Sequence, residues 1–120
     1  MPKRILVVED EPDLRNLTEL FLQRAGYQTA GCESGREVMA AVESATPDLI
    51  LLDVMLPGMD GLTIAKMLSA DPNKAGIPFI AVSALSQTKM SFDQFPQCRG
   101  FVSKPFDMTQ LIQKVKEVLG

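Results

Sequence analysis

The chain contains no histidine and no tryptophan. Lack of histidine excludes Ser-His-Asp and Cys-His catalysis, imidazole-ligated metals and an internal phosphohistidine. Any chemistry must fall to carboxylates, hydroxyls and lysines. Cysteine is scarce. Cys32 and Cys98 fit no metal spacing, and both read as ordinary buried or half-buried thiols. Long apolar runs are missing too. The longest, Val38 to Val42, has five residues, against about 18 for a membrane span. The N-terminal MPKRILVVEDE reaches acid after four apolar residues, too early for a signal peptide. A cytoplasmic protein without membrane contact is expected. A basic excess is also absent: 15 acids face 12 bases, for a net charge of -3. That balance offers no electrostatic footprint for nucleic acid, so no direct contact with it is expected.

What is present suits one domain over residues 1–120, a common domain size. At 46% hydrophobic and 22% charged residues, the chain can build a core and stay soluble. Short apolar runs alternate with helical patterns. The runs are 4–8, 28–31 (weak), 48–53, 78–83 and 100–104, and continuous apolar character predicts strands covered on both faces. Leu14, Leu17, Phe21 and Ala25 predict one helical stripe, with Gly26 as its stop. Ser34 and Glu37 fit a capping box ahead of Val38, Met39, Val42 and Ala45. Asp60 precedes a third helix. Asp107 can cap the last helix, whose stripe is Leu111, Ile112, Val115, Val118 and Leu119. Residues 87–94 predict only a short, weak helix, because the apolar spacing is irregular and Pro96 cannot sit in a helix interior. The result is an alternating (βα)5 chain. It implies α/β architecture with a parallel sheet, right-handed crossovers and helices on both faces, in three layers.

Ligands of such sheets bind at the carboxyl ends of the strands. Those ends carry Glu9 and Asp10, then Asp53, Ser83 and Lys104. Asp53 stands out, because it ends the run LILLD, where an unpaired carboxylate would be costly to bury. Carboxylates from two strands suit a hard divalent cation, Mg²⁺ or Mn²⁺, and the absent histidine disfavours softer metals. A cation beside lysine and a hydroxyl is what a phosphoryl group needs. Glu9-Asp10-Glu11 could also be a solvated acid cluster at a helix start.

The motifs LVVEDE, LILLDVMLPGMDG, AVSAL and FVSKPF, in this order, resemble a response regulator receiver domain of two-component signalling. The resemblance spans the whole chain. It implies a flavodoxin-like doubly wound fold with strand order 2-1-3-4-5, an order taken from the family rather than from spacing. It implies that Asp53 is the phosphoacceptor. It gives Asp10, Asp53 and the Met55 backbone carbonyl as metal ligands, with Glu9 holding the metal through water. Lys104 would pair with phosphoryl oxygens. Ser83 and Ala84 would line the phosphoryl site, and Phe101 would be a switching aromatic or a plain core residue. Lys104-Pro105 would be cis. The phosphoryl donor would be a sensor histidine kinase or a histidine phosphotransfer protein.

The implied molecule is a signalling switch rather than a metabolic enzyme, with possible self-dephosphorylation. It would be a monomer or a weak, phosphorylation-dependent dimer. An unidentified downstream protein would bind the face formed by the fourth helix, fifth strand and fifth helix. Residues 91–100 depart from the family pattern, so the fourth helix is expected to be shortened and mobile. No output segment is recognisable, which favours a stand-alone regulator. The alternatives are the receiver part of a longer regulator or hybrid kinase, or a non-phosphorylated interaction domain. One enzyme class and one carrier class fit worse. An aspartyl-phosphate phosphatase needs a second acid where Met55 stands, and a flavin carrier's phosphate loop would be repelled by Glu9-Asp10-Glu11.

Overall fold

A computed structural model describes residues 2–56, 59–84, 92 and 94–119. The strands are β1 (Arg4–Val8), β2 (Gln28–Cys32), β3 (Leu49–Asp53), β4 (Phe79–Ser83) and β5 (Cys98–Ser103). The helices are α1 (Pro12–Arg24), α2 (Val38–Ala45), α3 (Gly61–Ala70) and α4 (Met108–Leu119). All pairings are parallel, in the order β2-β1-β3-β4-β5. This is the doubly wound fold that the sequence implies. Strand bounds move by one or two residues from the predicted runs. The short helix expected within 87–94 lies almost wholly outside the described residues, as does its expected mobility.

Side chains alternate across the sheet, so each strand feeds two cores. Leu6, Val8, Ile50, Leu52, Phe79 and Ala81 form one row with Val38, Val42, Ile64 and Leu68 of α2 and α3. Ile5, Val7, Leu49, Leu51, Ile80 and Val82 form the other, with Leu22 of α1 and Leu111 and Val115 of α4. Burying each large aliphatic contributes about 1.5–3 kcal/mol. This two-sided burial is why β3 and β4 read as unbroken apolar runs: every residue of both is buried.

Helix ends account for most connections. Gly26 takes φ 101. Its N–H donates to Gln23, and that of Tyr27 to Leu22, which closes α1 with a Schellman motif. Asp60 starts α3 by accepting from the Thr63 N–H at 2.8 Å. That bond holds the Asp60 carboxyl below its usual pKa. Asp107 receives the Thr109 N–H at 2.8 Å, as the sequence suggests for the last helix.

Two local expectations fail. The buried face of α1 is Thr18 and Leu22, while Leu17 and Phe21 remain 44% and 37% exposed. Thr18 can turn inward because its hydroxyl donates to the Leu14 carbonyl at 2.8 Å, so no polar group is left open. The capping box does not form either. Ser34 makes no side-chain cap, and a 3₁₀ turn over Gly35–Glu37 precedes α2. Glu37 accepts from the Glu33 N–H at 3.3 Å instead.

Gly61 packs against the segment that follows β3, donating its N–H to the Val54 carbonyl at 2.9 Å. A Cβ there would lie 2.7 Å from Val54 Cα, a backbone atom with little room to yield. Gly61→Ala should cost about 1–3 kcal/mol, read as a lower urea midpoint at unchanged slope. Cys32 is buried, and desolvation with the nearby Glu37 charge pushes its thiol up to about 11. Above pH 9 the unfolded chain ionises at this thiol while the folded chain keeps the proton. Stability should therefore decline between about pH 9 and 11. At pH 8 iodoacetamide should alkylate Cys32 about a hundredfold more slowly in the folded chain than in urea.

Candidate functional site

Strand register builds the site. Val8 pairs with Leu52, which sets Glu9 level with Asp53. Asp53 pairs with Val82, and Val82 with Val102. Continuing the row of Ile5, Val7, Leu49, Leu51, Val82 and Val102 by one step gives Glu9, Asp53, Ala84 and Lys104. These four reach one face at the carboxyl edge because the pleat has period two. Lys104 must cross β4 to reach β3, about 10 Å at usual strand spacing. Its stem and the Glu9 and Asp53 side chains together close the gap. The ammonium donates to Glu9 Oε1 at 2.7 Å and to Asp53 Oδ2 at 3.0 Å.

Both carboxylates are nearly buried, at 5% for Glu9 and 4% for Asp53. Beneath them, Val7, Leu51, Val82, Phe106 and Leu111 make an apolar floor. Burial, the largest influence on Lys104, pulls its pKa down. The hydrogen bonds to Glu9 and Asp53 and the attraction of both charges outweigh it, and the net pKa is raised. Lys104 is therefore protonated at neutral pH. The second oxygens are also held. Asp53 Oδ1 accepts from the Met55 N–H at 3.0 Å, and Glu9 Oε2 from the Glu11 N–H at 3.2 Å.

Asp10 is exposed and completes the acid cluster. One carboxylate oxygen each from Glu9, Asp10 and Asp53 lies within 4.8 Å of the others. An all-oxygen set at that separation fits a hard divalent cation and offers nothing to a soft one. An open cleft of about 440 Å³ lies over the cluster, lined by Glu9, Asp10, Asp53, Met55, Ala84 and Lys104. A larger groove, about 670 Å³, runs between α1 and α4 beside Phe21 and Ile112. It lies away from the acid cluster.

Ser83 and Phe101 belong to the opposite row. Ala81 pairs with Phe101 and Ser83 with Ser103, one pleat step further on. Ser83 is wholly buried, and Phe101 is half-buried against the α2–α3 core. The Lys104-Pro105 peptide is cis. The structure thus gathers Glu9, Asp10, Asp53, Met55, Ala84 and Lys104, and sets Ser83 and Phe101 on the other face of the same edge. Sequence reasoning missed Arg15, whose guanidinium donates to the Glu9 carbonyl at 2.9 Å. A side chain reaching back six residues to a backbone atom leaves no periodic signal.

Acids and one lysine stand at the β1/β3 switch point, the place where doubly wound domains bind their ligands. Comparison with known proteins narrows the class. The response regulator receiver domain family matches residues 5–116. The chain is 34% identical over 122 residues to the polar-differentiation response regulator DivK of Brucella anthropi, covering all of this chain and 98% of DivK. It is 35% identical over 117 residues to the DNA-binding response regulator MtrA of Mycolicibacterium smegmatis, covering 97% of this chain and 50% of MtrA. The chain therefore spans about half the length of that DNA-binding relative. Among solved structures, response regulator TrrA of Thermotoga maritima, in complex with Mg²⁺-BeF, superposes with a TM-score of 0.85 at 34% identity, over 97% of this chain and 98% of that one. The chain belongs to the response regulator receiver domain family, whose members are signalling switches of two-component systems.

Removing the Lys104 ammonium would leave two buried carboxylates facing each other. Lys104→Met should cost about 3–5 kcal/mol in metal-free buffer. Adding Asp53→Asn should recover part of that loss, so a double-mutant cycle of urea midpoints should show coupling of about 1 kcal/mol or more.

Proposed function

We propose that the chain, as one receiver domain over residues 1–120, accepts a phosphoryl group on Asp53. The donor is the phosphohistidine of a sensor histidine kinase or phosphotransfer protein. The observation that carries this is the Lys104 ammonium bridging Glu9 and Asp53 beside Asp10. In the transfer, an Asp53 oxygen attacks phosphorus. The O–P bond forms, the P–N bond breaks, and the leaving imidazole nitrogen keeps the electron pair and takes a proton. Asp53 is ready for this because a rigid strand end and the Met55 N–H hold its carboxylate. Lys104 neutralises charge on the phosphoryl oxygens. Ala84 leaves room for the group.

Asp10, Asp53 and the Met55 carbonyl would hold Mg²⁺ directly, with Glu9 acting through water. When bound, the cation supplies further charge neutralisation at the phosphoryl oxygens. Similarity to TrrA, solved with Mg²⁺-BeF, supports this cation. Mn²⁺ suits the same oxygen donors. Ser83 and Phe101 share the opposite row. A hydroxyl drawn toward the phosphoryl group would open space for the ring, and that shift would reach a downstream protein through the face of β5, the last helix (α4, the fifth in the expected order) and the helix expected within 87–94. The 50% coverage of MtrA supports a second arrangement, in which this receiver is one part of a longer regulator.

Radiolabelled acetyl phosphate with Mg²⁺ should label the chain. EDTA should stop labelling, and Asp53→Asn should reduce it to background. Undiminished labelling of Asp53→Asn would overturn the assignment.

A further inference from the structure

Arg15 lies on the first turns of α1, outside the acid cluster, yet it holds the backbone that carries the cluster. Its guanidinium Nη1 donates to the Glu9 carbonyl at 2.9 Å. The Glu9 N–H donates in turn to the Cys32 carbonyl at 3.0 Å. The Glu9 peptide groups are thus clamped from both sides, by β2 and by α1, at the residue where β1 turns into the loop. Glu9 then presents one carboxylate oxygen to Lys104 and the other to the Glu11 N–H. The Arg15 backbone N–H closes the loop by donating to the Glu11 carbonyl at 2.9 Å.

The Arg15 stem also has a dedicated bed. It crosses Gly31 of β2, where an added Cβ would come 3.2 Å from Arg15 Cδ and 2.8 Å from Glu19 Oε2. Glycine at this position leaves room for the stem. The guanidinium meets a carbonyl, not a carboxylate, so its effect on the acids is transmitted through the backbone that orients them. A charge-assisted bond of this kind resists rotation of the Glu9 peptide and hence movement of Glu9 and Asp10.

We propose that Arg15 is a positioning residue for the acid pocket, fixing Glu9 and Asp10 for a divalent cation through the Glu9 carbonyl. This rests on the reading of Glu9, Asp10 and Asp53 as a metal site. The alternative, a merely electrostatic role, has the opposite sign. Removing a positive charge near a cation site should tighten cation binding, whereas loosening the ligands should weaken it.

Titration calorimetry with MgCl₂ alone distinguishes the two. Arg15→Gln should raise the Mg²⁺ Kd about tenfold, the lower end of what loss of an orienting partner costs. Arg15→Lys, which keeps a charged donor, should recover part of the loss. Gly31→Ala, which keeps the arginine but displaces its stem, should also weaken binding. In the metal-free chain, Arg15→Gln should speed amide exchange at Glu11 while leaving Leu6 and Val7 protected. That local readout serves even if the variant is less stable, because general destabilisation would accelerate all three. Unchanged or tighter Mg²⁺ binding by Arg15→Gln, or uniform acceleration of exchange, would overturn the proposal while leaving the metal site standing. Failure of the unmodified chain to bind Mg²⁺ would overturn the metal site, and this proposal with it.

Discussion

The ammonium of Lys104 between Glu9 and Asp53 is the interaction on which the carboxyl edge depends. Its two bonds join residues 95 and 51 positions away in sequence. They form only if β1, β3 and β5 are all in register with β4 between them. The carboxylates stand over an apolar floor, where a lone charge would be strongly destabilising. Any slip of one residue would turn these side chains to the opposite face. Buried ionic clusters are often no more stabilising than a hydrophobic substitute, and here a register slip would leave the charges unpaired.

The same alternation explains how a carboxylate can end LILLD. Leu49, Leu51 and Asp53 share one face, and Leu52 packs on the other. The first residues of the row are covered by α1 and α4. The last emerges where the helices no longer cover the sheet and a cleft opens. Asp53 is therefore buried among apolar neighbours without being unpaired. Its oxygens are taken by Lys104 and by the Met55 N–H. Ser83 lies on the opposite row for the same reason, as does Phe101 one pleat step earlier, so the edge has a side facing the acid cleft and a side facing the core.

Much of this was legible in the sequence, because unbroken apolar runs and period-3.6 stripes report burial directly. Gly26 and Asp107 were legible as stop and cap residues, while the strand order and the roles of the strand-end residues came from the family resemblance. What escaped was bonding between side chains and distant backbone. The α1 stripe was misjudged because apolar residues were assumed to face inward. Thr18 could replace them only because its hydroxyl is satisfied within the helix. Arg15 was silent, since its partner is a carbonyl. So was buried Gln97, whose amide donates to the Lys74 and Ile77 carbonyls and accepts from Ser69. Lys74, equally buried, pairs with Glu43 and Asp71.

That last network sharpens the contrast between the two ends of the sheet. Around Gln97 and Lys74, donors and acceptors match, and Lys74 meets two acids. At the carboxyl edge, three carboxylates face one lysine, which leaves two negative charges in excess. An arriving phosphoryl group carries about two more. In a pocket with an apolar floor, such an accumulation would repel the group before any bond could form. A divalent cation brings the cluster close to neutrality. On the proposed function, this charge count would favour a cation arriving before the phosphoryl group.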